Sequence, residues 1–319
     1  MNDFTTVFEA LKGLLPMKYF EDIVEYTNAD HGAKKLTALR HLCILMYAHL
    51  KEKKSLRDIT SGISADPNLQ EYTGTISYSQ LSRKNSDRDP EVFEQMFQAI
   101  VSQVVLYQGI RDIPSTWGDI KILDATLIRV CLSLFPWAHY RKAVGAVKMH
   151  TLIDLVSDCP EKIVITDGKI HDRDKMDSFV TKPGITYIFD RGYTDYGEYD
   201  RLCMDDIFFI SRLKKNAVME VVSENQVSRD SNVLSDKEVF LGGFYTRMKN
   251  TVRIIEVMDI SKGESFFIVT NRFDLSAEEI AQIYRLRWRV ELFFKWIKQH
   301  LKIKRFYGTS YNAVLNQIY

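Results

Sequence analysis

One apolar stripe near the end of the chain constrains its fold more than any other feature. Residues 277–303, AEEIAQIYRLRWRVELFFKWIKQHLKI, contain neither Pro nor Gly, and their apolar side chains recur at helical spacing. Ser276 is followed three residues later by Glu279, which is a capping box and marks a helix N-terminus. The stretch therefore predicts one long helix whose apolar stripe is buried.

Four polar residues lie beside that stripe on the predicted helix. Within a sector of roughly 60°, the sequence places Tyr284, Arg287, Glu291 and Lys298. They extend over about 21 Å of helix, which is too long for one local ion pair and suits an extended anion. Residues 285–305 hold eight Lys or Arg and one acid, as a surface for a polyanion would. A solvated charged flank beside a core helix is the alternative interpretation.

The composition excludes several classes of protein. A chain of 319 residues with 45% hydrophobic residues is long enough for two domains and a sizeable core. It has no apolar run of about 18 residues, and its first residues lack the order of a signal peptide, so we expect no membrane association. The four scattered cysteines, without a CxxC pair, are typical of thiols in a reducing compartment and favour a cytoplasmic protein.

Residues 1–115 are predicted to form a small all-α domain. Helical spacing is found over residues 36–51, 55–63 and 90–106. Several short helices joined by polar turns suit a DNA-binding domain of the helix-turn-helix type, although an ordinary helical bundle fits equally well. The segment expected near phosphates is SQLSRKNSDR, with Ser82, Arg83, Lys84 and Arg88.

Residues 116–319 change to a strand pattern. The predicted strands are 121–130, 145–155, 162–168, 185–190 and 206–213. Three strands, a fourth, a helix and a fifth describe the core order of a ribonuclease-H-like fold, so we predict an α/β domain with a mixed sheet of that kind. Alternating residues over about 217–271 predict a β-rich insertion before the long helix.

Three carboxylates fall where such a fold brings its strand ends and last helix together. Asp124 lies in the first strand, Asp190 ends the fourth, and Glu291 lies on the long helix. A buried Asp must be paired, hydrogen-bonded or metal-bound, and Mg²⁺ prefers oxygen ligands. Two such ions about 3.5–4 Å apart can clamp the attacking and leaving oxygens of a displacement at phosphorus. For each Asp taken alone, a strand-end cap or a surface acid is the alternative.

These residues resemble a known family. Tyr284-x2-Arg287-x3-Glu291-x6-Lys298 is similar to the Tyr-Arg-Glu-Lys signature of bacterial insertion-sequence transposases of the DDE, cut-and-paste type. Asp124 in its strand and Asp190 in FDRGY resemble that family's first and second catalytic acids, and the DGKIHD segment around His171 is also similar. The resemblance covers most of residues 116–310, and the helical front end resembles the variable DNA-binding domain of such enzymes.

The resemblance implies an enzyme acting on double-stranded DNA. Asp124, Asp190 and Glu291 would be catalytic and would bind two Mg²⁺ or Mn²⁺ ions. Water would be activated to cut at the transposon ends, and the freed 3′ hydroxyls would attack target DNA. In relatives that pass through a hairpin, the phosphates near the other strand end would be held by Tyr284, Arg287 and Lys298. A homodimer in a synaptic complex and a nucleoid-associated location in the bacterial cytoplasm follow as well.

Further contacts are expected around the signature. Arg285 and Arg289 would meet DNA backbone outside the cut site. Trp288 would stack on an unpaired base, although a Trp on such a helix more often packs on the core. His171 and Lys148 would lie near the metal site, with a loop hydrogen bond and a solvated strand end as their alternatives.

Two other functions stay open. A catalytically silent or truncated copy would bind DNA ends without cutting them, and the stop at YNAVLNQIY within a helical pattern favours it. The complete set of three acids argues against it. A ribonuclease-H-like nuclease would cut without strand transfer, but simple hydrolysis needs no grip on a second strand end, so the signature disfavours it.

Overall fold

The computed structural model describes residues 13–107, 113–228, 230–300 and 306–319. The chain divides into two compact units. The first unit comprises Met1–Gln108, Leu127–Lys148 and Lys295–Tyr319. The second unit comprises Gly109–Thr126 and Met149–Phe294.

Short helices form the front of the first unit. They are α1 (Met17–Tyr26), α2 (Ala38–Leu50), α3 (Leu56–Ala65), α4 (Pro67–Thr73), α5 (Tyr78–Asp87) and α6 (Glu91–Tyr107). The predictions for α2, α3 and α6 are confirmed to within two residues. The helices α4 and α5 were not predicted, because their polar sequences carry few apolar residues. Each begins at a side-chain cap, Asp66 for α4 and Ser77 for α5, which a pattern of apolar residues does not detect.

Ten strands of the described residues form one mixed sheet. They are β1 (Ile120–Val130), β2 (His139–Arg141), β3 (Val144–Asp154), β4 (Cys159–Asp167), β5 (Thr186–Phe189), β6 (Phe208–Leu213), β7 (Met219–Asn225), β8 (Val233–Leu241), β9 (Val252–Asp259) and β10 (Glu264–Thr270). Their order is β2-β3-β1-β5-β6-β10-β9-β8-β7, and β4 also pairs with β3. Strand β5 runs parallel to both β1 and β6. The predicted α/β class with a ribonuclease-H-like mixed sheet and a helical front is confirmed.

The predicted β-rich insertion continues the central sheet. Strand β10 pairs antiparallel with β6, with Val269 opposite Ser211, and β9, β8 and β7 follow in antiparallel order. The insertion therefore shares backbone hydrogen bonds with β6, which in turn pairs with β5.

Aromatic packing on the central strands fixes the core of the second unit. All four residues of β5 are buried, as its apolar run predicts for a parallel central strand. Helix α8 (Tyr196–Met204), reached after the short helix α7 (Met176–Phe179), covers this strand region. The rings of Tyr199 and Phe209 stack at 4.5 Å between centroids. Loss of one such buried ring costs about 3–5 kcal/mol, so this layer holds the strand ends in place.

The stretch predicted as one long helix is two helices. They are α9 (Ala277–Arg285) and α10 (Trp288–His300), and residues 301–303 lie outside the described part of the chain. Between the helices, the Leu286 N–H donates to Ile283 O and the Arg287 N–H to Tyr284 O, so the backbone tightens into a 3₁₀ turn. The prediction of a continuous helix is wrong here because tertiary contacts of Arg287 override the local pattern, with no Pro or Gly to mark the break.

The last helix, α11 (Tyr311–Ile318), packs against α5 within the first unit. Its Asn316 side chain donates to the backbone carbonyls of Asn85 and Arg88, at 3.4 and 3.1 Å. Just before the helix, the Tyr307 hydroxyl donates to Ala48 O and Lys53 O. These bonds join residues 306–319 to the helices of the first unit. None of the described helices is long and apolar enough to cross a membrane.

One residue expected near phosphates has a structural role instead. Arg88 is buried, donates to Ala29 O and Leu36 O, and pairs with Asp30 at 3.4 Å. A buried guanidinium needs such partners, so the expectation is wrong for Arg88. On α5, Arg83 is exposed and Lys84 half-buried.

Candidate active site

Two acids of the site lie side by side on neighbouring parallel strands. The register of β1 and β5 places Ile122 opposite Ile188. Two residues further along each strand come Asp124 and Asp190, where the strands are about 4.8 Å apart. The parallel pairing therefore brings Asp124, within β1, next to Asp190, which follows the last residue of β5.

The environment of Asp124 favours its neutral form. Its side chain is only 16% exposed. The pKa of Asp124 is raised to about 7, chiefly by burial and also by the charges of Asp190 and Glu291, against the lowering effects of the Ala125 N–H and Arg287. A carboxylate in such surroundings binds a proton or a cation readily.

Backbone groups hold Asp190 at the end of β5. Its Oδ1 accepts the Gly192 N–H at 2.7 Å, and its own carbonyl accepts the Ser211 hydroxyl at 3.2 Å. Residues Arg191–Tyr193 form a short 3₁₀ helix that this carboxylate caps. The sequence DRGY thus positions the acid through local bonds.

Arg287 joins the first and third acids. Its Nη1 lies 3.2 Å from Asp124 Oδ2, and its Nη2 donates to Glu291 Oε1. The guanidinium is largely buried, so little solvent screens these contacts. The turn before α10 aims Arg287 at both carboxylates, which no helical wheel of the sequence predicts.

The donor set suits a hard divalent cation. Among the described residues, no three side chains of the types His, Cys, Asp or Glu lie close enough together to hold a metal ion as they stand. The guanidinium of Arg287 supplies the positive charge between Asp124 and Glu291 instead. Carboxylate oxygens, such as those that Arg287 contacts here, are the ligands that Mg²⁺ and Mn²⁺ prefer.

The other residues of the predicted signature differ in exposure. Tyr284 is buried, its ring lies 6.0 Å from that of Phe266, and burial raises the pKa of its hydroxyl. Lys298 is half-buried further along α10 and belongs to the first unit. The structure thus brings Arg287 and Glu291 into contact, and the buried Tyr284 lies one turn before Arg287.

A cavity of about 400 Å³ opens beside the signature. Its lining includes Tyr284, Arg285, Arg287 and Trp288. The Trp288 side chain is 59% exposed, so it is available for stacking rather than committed to the core. Arg212 and Phe266 also line this cavity, with the guanidinium 5.0 Å from the ring centroid. The sequence did not indicate Arg212 as a candidate functional residue. Only its solvent-facing position on a strand could have done so.

A second cavity, of about 670 Å³, lies next to Asp190. Its basic lining residues are His171, Arg173, Arg191 and Lys214. His171 was expected near the metal site, and it lies here beside Gly192. The other three were not singled out, because each is a lone basic residue after a strand or turn.

Two further residues for which the sequence predicted a functional role are paired or buried within the protein. Arg289 pairs with Asp158 at 3.1 Å, which ties the start of α10 to the turn after β3. Lys148 is buried in β3 and belongs to the first unit. Neither lines the two cavities.

Comparison with known proteins gives matches over the whole chain. Residues 118–319 match a family described as "Transposase DDE domain", and residues 4–76 match a domain of unknown function, DUF4372. A putative transposase y4zB of Sinorhizobium fredii is 33% identical over 205 residues, which are 63% of this chain and 57% of that protein. The chain thus matches little more than half of that relative's length.

Two further relatives cover more of the chain. A probable transposase for insertion sequence element IS5377 of Geobacillus stearothermophilus is 27% identical over 100% of this chain and 83% of that protein. A putative transposase for insertion sequence element IS4SA of Synechocystis is 25% identical over 77% of this chain and 69% of that protein.

Proposed function

The chain belongs to the family of transposases with a DDE domain, and on that premise we propose that it cuts DNA at the ends of an insertion sequence and joins them to target DNA. The observation that carries this proposal is the position of Asp124 and Asp190, each two residues beyond the paired Ile122 and Ile188, with Glu291 linked to Asp124 through Arg287. The family resemblance is confirmed, while the Tyr-Arg-Glu-Lys signature stays a prediction.

Asp124, Asp190 and Glu291 would hold two Mg²⁺ or Mn²⁺ ions in this proposal. When bound, such ions activate water and stabilise the charge that develops on the phosphate oxygens. The chain itself supplies oxygen donors held by backbone bonds, as at Asp190. The pKa of Asp124 is raised to about 7, so near neutral pH this residue would have to give up any bound proton to serve as a cation ligand.

Arg287 has two tasks in the proposed cycle. Without a cation, it neutralises Asp124 and Glu291. With the acids holding a cation, the guanidinium of Arg287 would be available to grip a DNA phosphate with two parallel hydrogen bonds. Tyr284 and Lys298 would hold phosphates of the same strand end, as the signature implies.

The two cavities would receive the DNA backbone and an unpaired base. Arg212, Arg285 and Arg287 surround the smaller cavity, and the exposed ring of Trp288 offers a stacking surface there. The basic residues of the larger cavity would bind phosphates next to Asp190. Arg289, given its ion pair with Asp158, would meet DNA only at its exposed edge.

Double-stranded DNA, at transposon ends and target, is the proposed partner. Cutting two ends in one synaptic complex requires two active sites, so we propose a homodimer. The proposed location is the bacterial cytoplasm, on the nucleoid.

Cleavage of a duplex that carries the element's own end separates the competing functions. Glu291→Gln keeps the side chain's shape but weakens a cation ligand, so cutting should be lost while end binding is retained. Lys262→Gln, on the exposed turn between β9 and β10, serves as a control and should cut normally. Cutting without joined products would favour a nuclease, and binding without cutting by the unaltered chain would favour a silent copy.

A further inference from the structure

The hydroxyl of Tyr193 is buried and has no hydrogen-bond partner among the described residues. Tyr193 ends the short helix that follows Asp190, and its ring packs on Phe189 at 5.7 Å between centroids. The residue is 0% exposed, and no described residue pairs with its hydroxyl. A buried hydroxyl of this kind calls for a hydrogen-bond partner, such as an ordered water.

The charges around this hydroxyl include a carboxylate outside the predicted set. Burial raises the pKa of Tyr193, and the next contributions come from Asp172, then Asp124 and Asp190. Asp172 is thus a third carboxylate whose charge acts on this hydroxyl. It begins the 3₁₀ turn Asp172–Lys175, which packs against Arg191–Tyr193.

Gly192 shows how closely Asp172 approaches Asp190. A Cβ placed on Gly192 would lie 2.9 Å from Asp190 Oδ1 and 3.5 Å from Asp172 Oδ2. The two carboxylates thus flank one small space, next to the larger cavity that Gly192 also lines. A cation with its water ligands would be attracted to the space between these two carboxylates.

We propose that Asp172 and Tyr193 are positioning residues that hold the water ligands of the cation bound beside Asp190. Asp172 accepts hydrogen bonds from those waters, and the Tyr193 hydroxyl closes the same water shell. Mg²⁺ and Mn²⁺ keep several waters when only a few carboxylates bind them, and such outer partners tune the affinity for the ion. The inference rests on the proposed function, since it takes Asp190 as a cation ligand.

Titration of the full chain with Mn²⁺, in the absence of DNA, tests the proposal. Asp172→Asn should weaken Mn²⁺ binding about ten- to hundredfold, the range for loss of an outer partner. Asp177→Asn removes the same charge five residues later, where the side chain is 80% exposed, and it should bind Mn²⁺ as the unaltered chain does. Equal affinities for the two variants would overturn the role of Asp172.

The melting temperature of Tyr193→Phe, with and without Mn²⁺, gives a second test that does not depend on the folding of the Asp172 variant. Without metal, its melting temperature should equal or exceed that of the unaltered chain, because an unpaired buried hydroxyl is removed. With saturating Mn²⁺, its rise in melting temperature should be smaller. A lower melting temperature without metal, together with an unchanged rise, would show a purely structural role and overturn the proposal for Tyr193.

Asp190→Asn distinguishes failure of this inference from failure of the proposed function. If Asp190→Asn loses Mn²⁺ binding while Asp172→Asn keeps it, only the outer role of Asp172 is refuted. If neither variant changes Mn²⁺ binding, the cation site at Asp190 is refuted and the inference falls with it.

Discussion

Asp124→Asn is expected to stabilise the metal-free protein at neutral and alkaline pH. The pKa of Asp124 rises from its ordinary value of 3.8 to about 7 in the folded chain, chiefly through burial. Between these two values, the folded state keeps a proton that the unfolded state has released. The free energy of unfolding therefore falls as the pH rises through this window, and the loss is complete above about pH 7.

The size of this stabilisation follows from the rise in the pKa of Asp124. Three pKa units at about 1.4 kcal/mol each amount to about 4 kcal/mol. The attraction of Arg287 is already contained in that pKa, and the side chain is mostly buried, so little is lost to solvent screening. Asn has the shape of the neutral carboxyl, and the substitution should recover most of this free energy.

Urea denaturation in EDTA, from pH 4.5 to 8.5, measures the effect. The difference in the free energy of unfolding between Asp124→Asn and the unaltered chain should grow with pH and level off above pH 7. The exposed control Asp177→Asn should show a difference that does not change over this range. A flat difference for Asp124→Asn, or lower stability at pH 8, would refute the burial of a costly charge at this position.

Three other substitutions test separate parts of the structure. Arg287→Met leaves two carboxylates without the guanidinium that pairs with them and should lower the free energy of unfolding by about 3 kcal/mol at pH 8. Urea denaturation with Mn²⁺ should show that this lost stability is restored. Arg253→Met breaks a buried ion pair with Asp236, at 2.6 Å, and should cost about 3–5 kcal/mol in the same assay with or without metal. Lys214→Ala, in the larger cavity, should weaken DNA binding and reduce the slope of log affinity against log salt by about one.

The sequence predicted those parts of the site that follow from strand order. Apolar runs located β1 and β5 to within one residue at each end, and Asp124 and Asp190 stood out as polar residues in those runs. Parallel pairing then places them together without further information. The spacing of Arg287 and Glu291 likewise predicted that they lie on one side, and they are in contact although Arg287 lies in the turn before α10.

Other features depend on contacts between distant residues, which a linear pattern does not contain. The break between α9 and α10 arises where Arg287 reaches Asp124, a residue far away in the chain. Arg88 was misassigned because its charge suggested phosphate, whereas its partners come from the loop before α2. Asp172 is an ordinary acid in the sequence, and only its approach to Asp190 across Gly192 gives it significance.

The most direct measurement is the metal specificity of DNA cutting by Asp190→Cys. A thiolate binds Mn²⁺ better than Mg²⁺, so this variant should be inactive on its end-bearing duplex with Mg²⁺ and should regain cutting with Mn²⁺. Asp190→Ser, which offers no thiolate, should stay inactive with both ions. Equal activity of Asp190→Cys with the two ions, or equal recovery of Asp190→Ser, would contradict direct binding of the catalytic cation by Asp190.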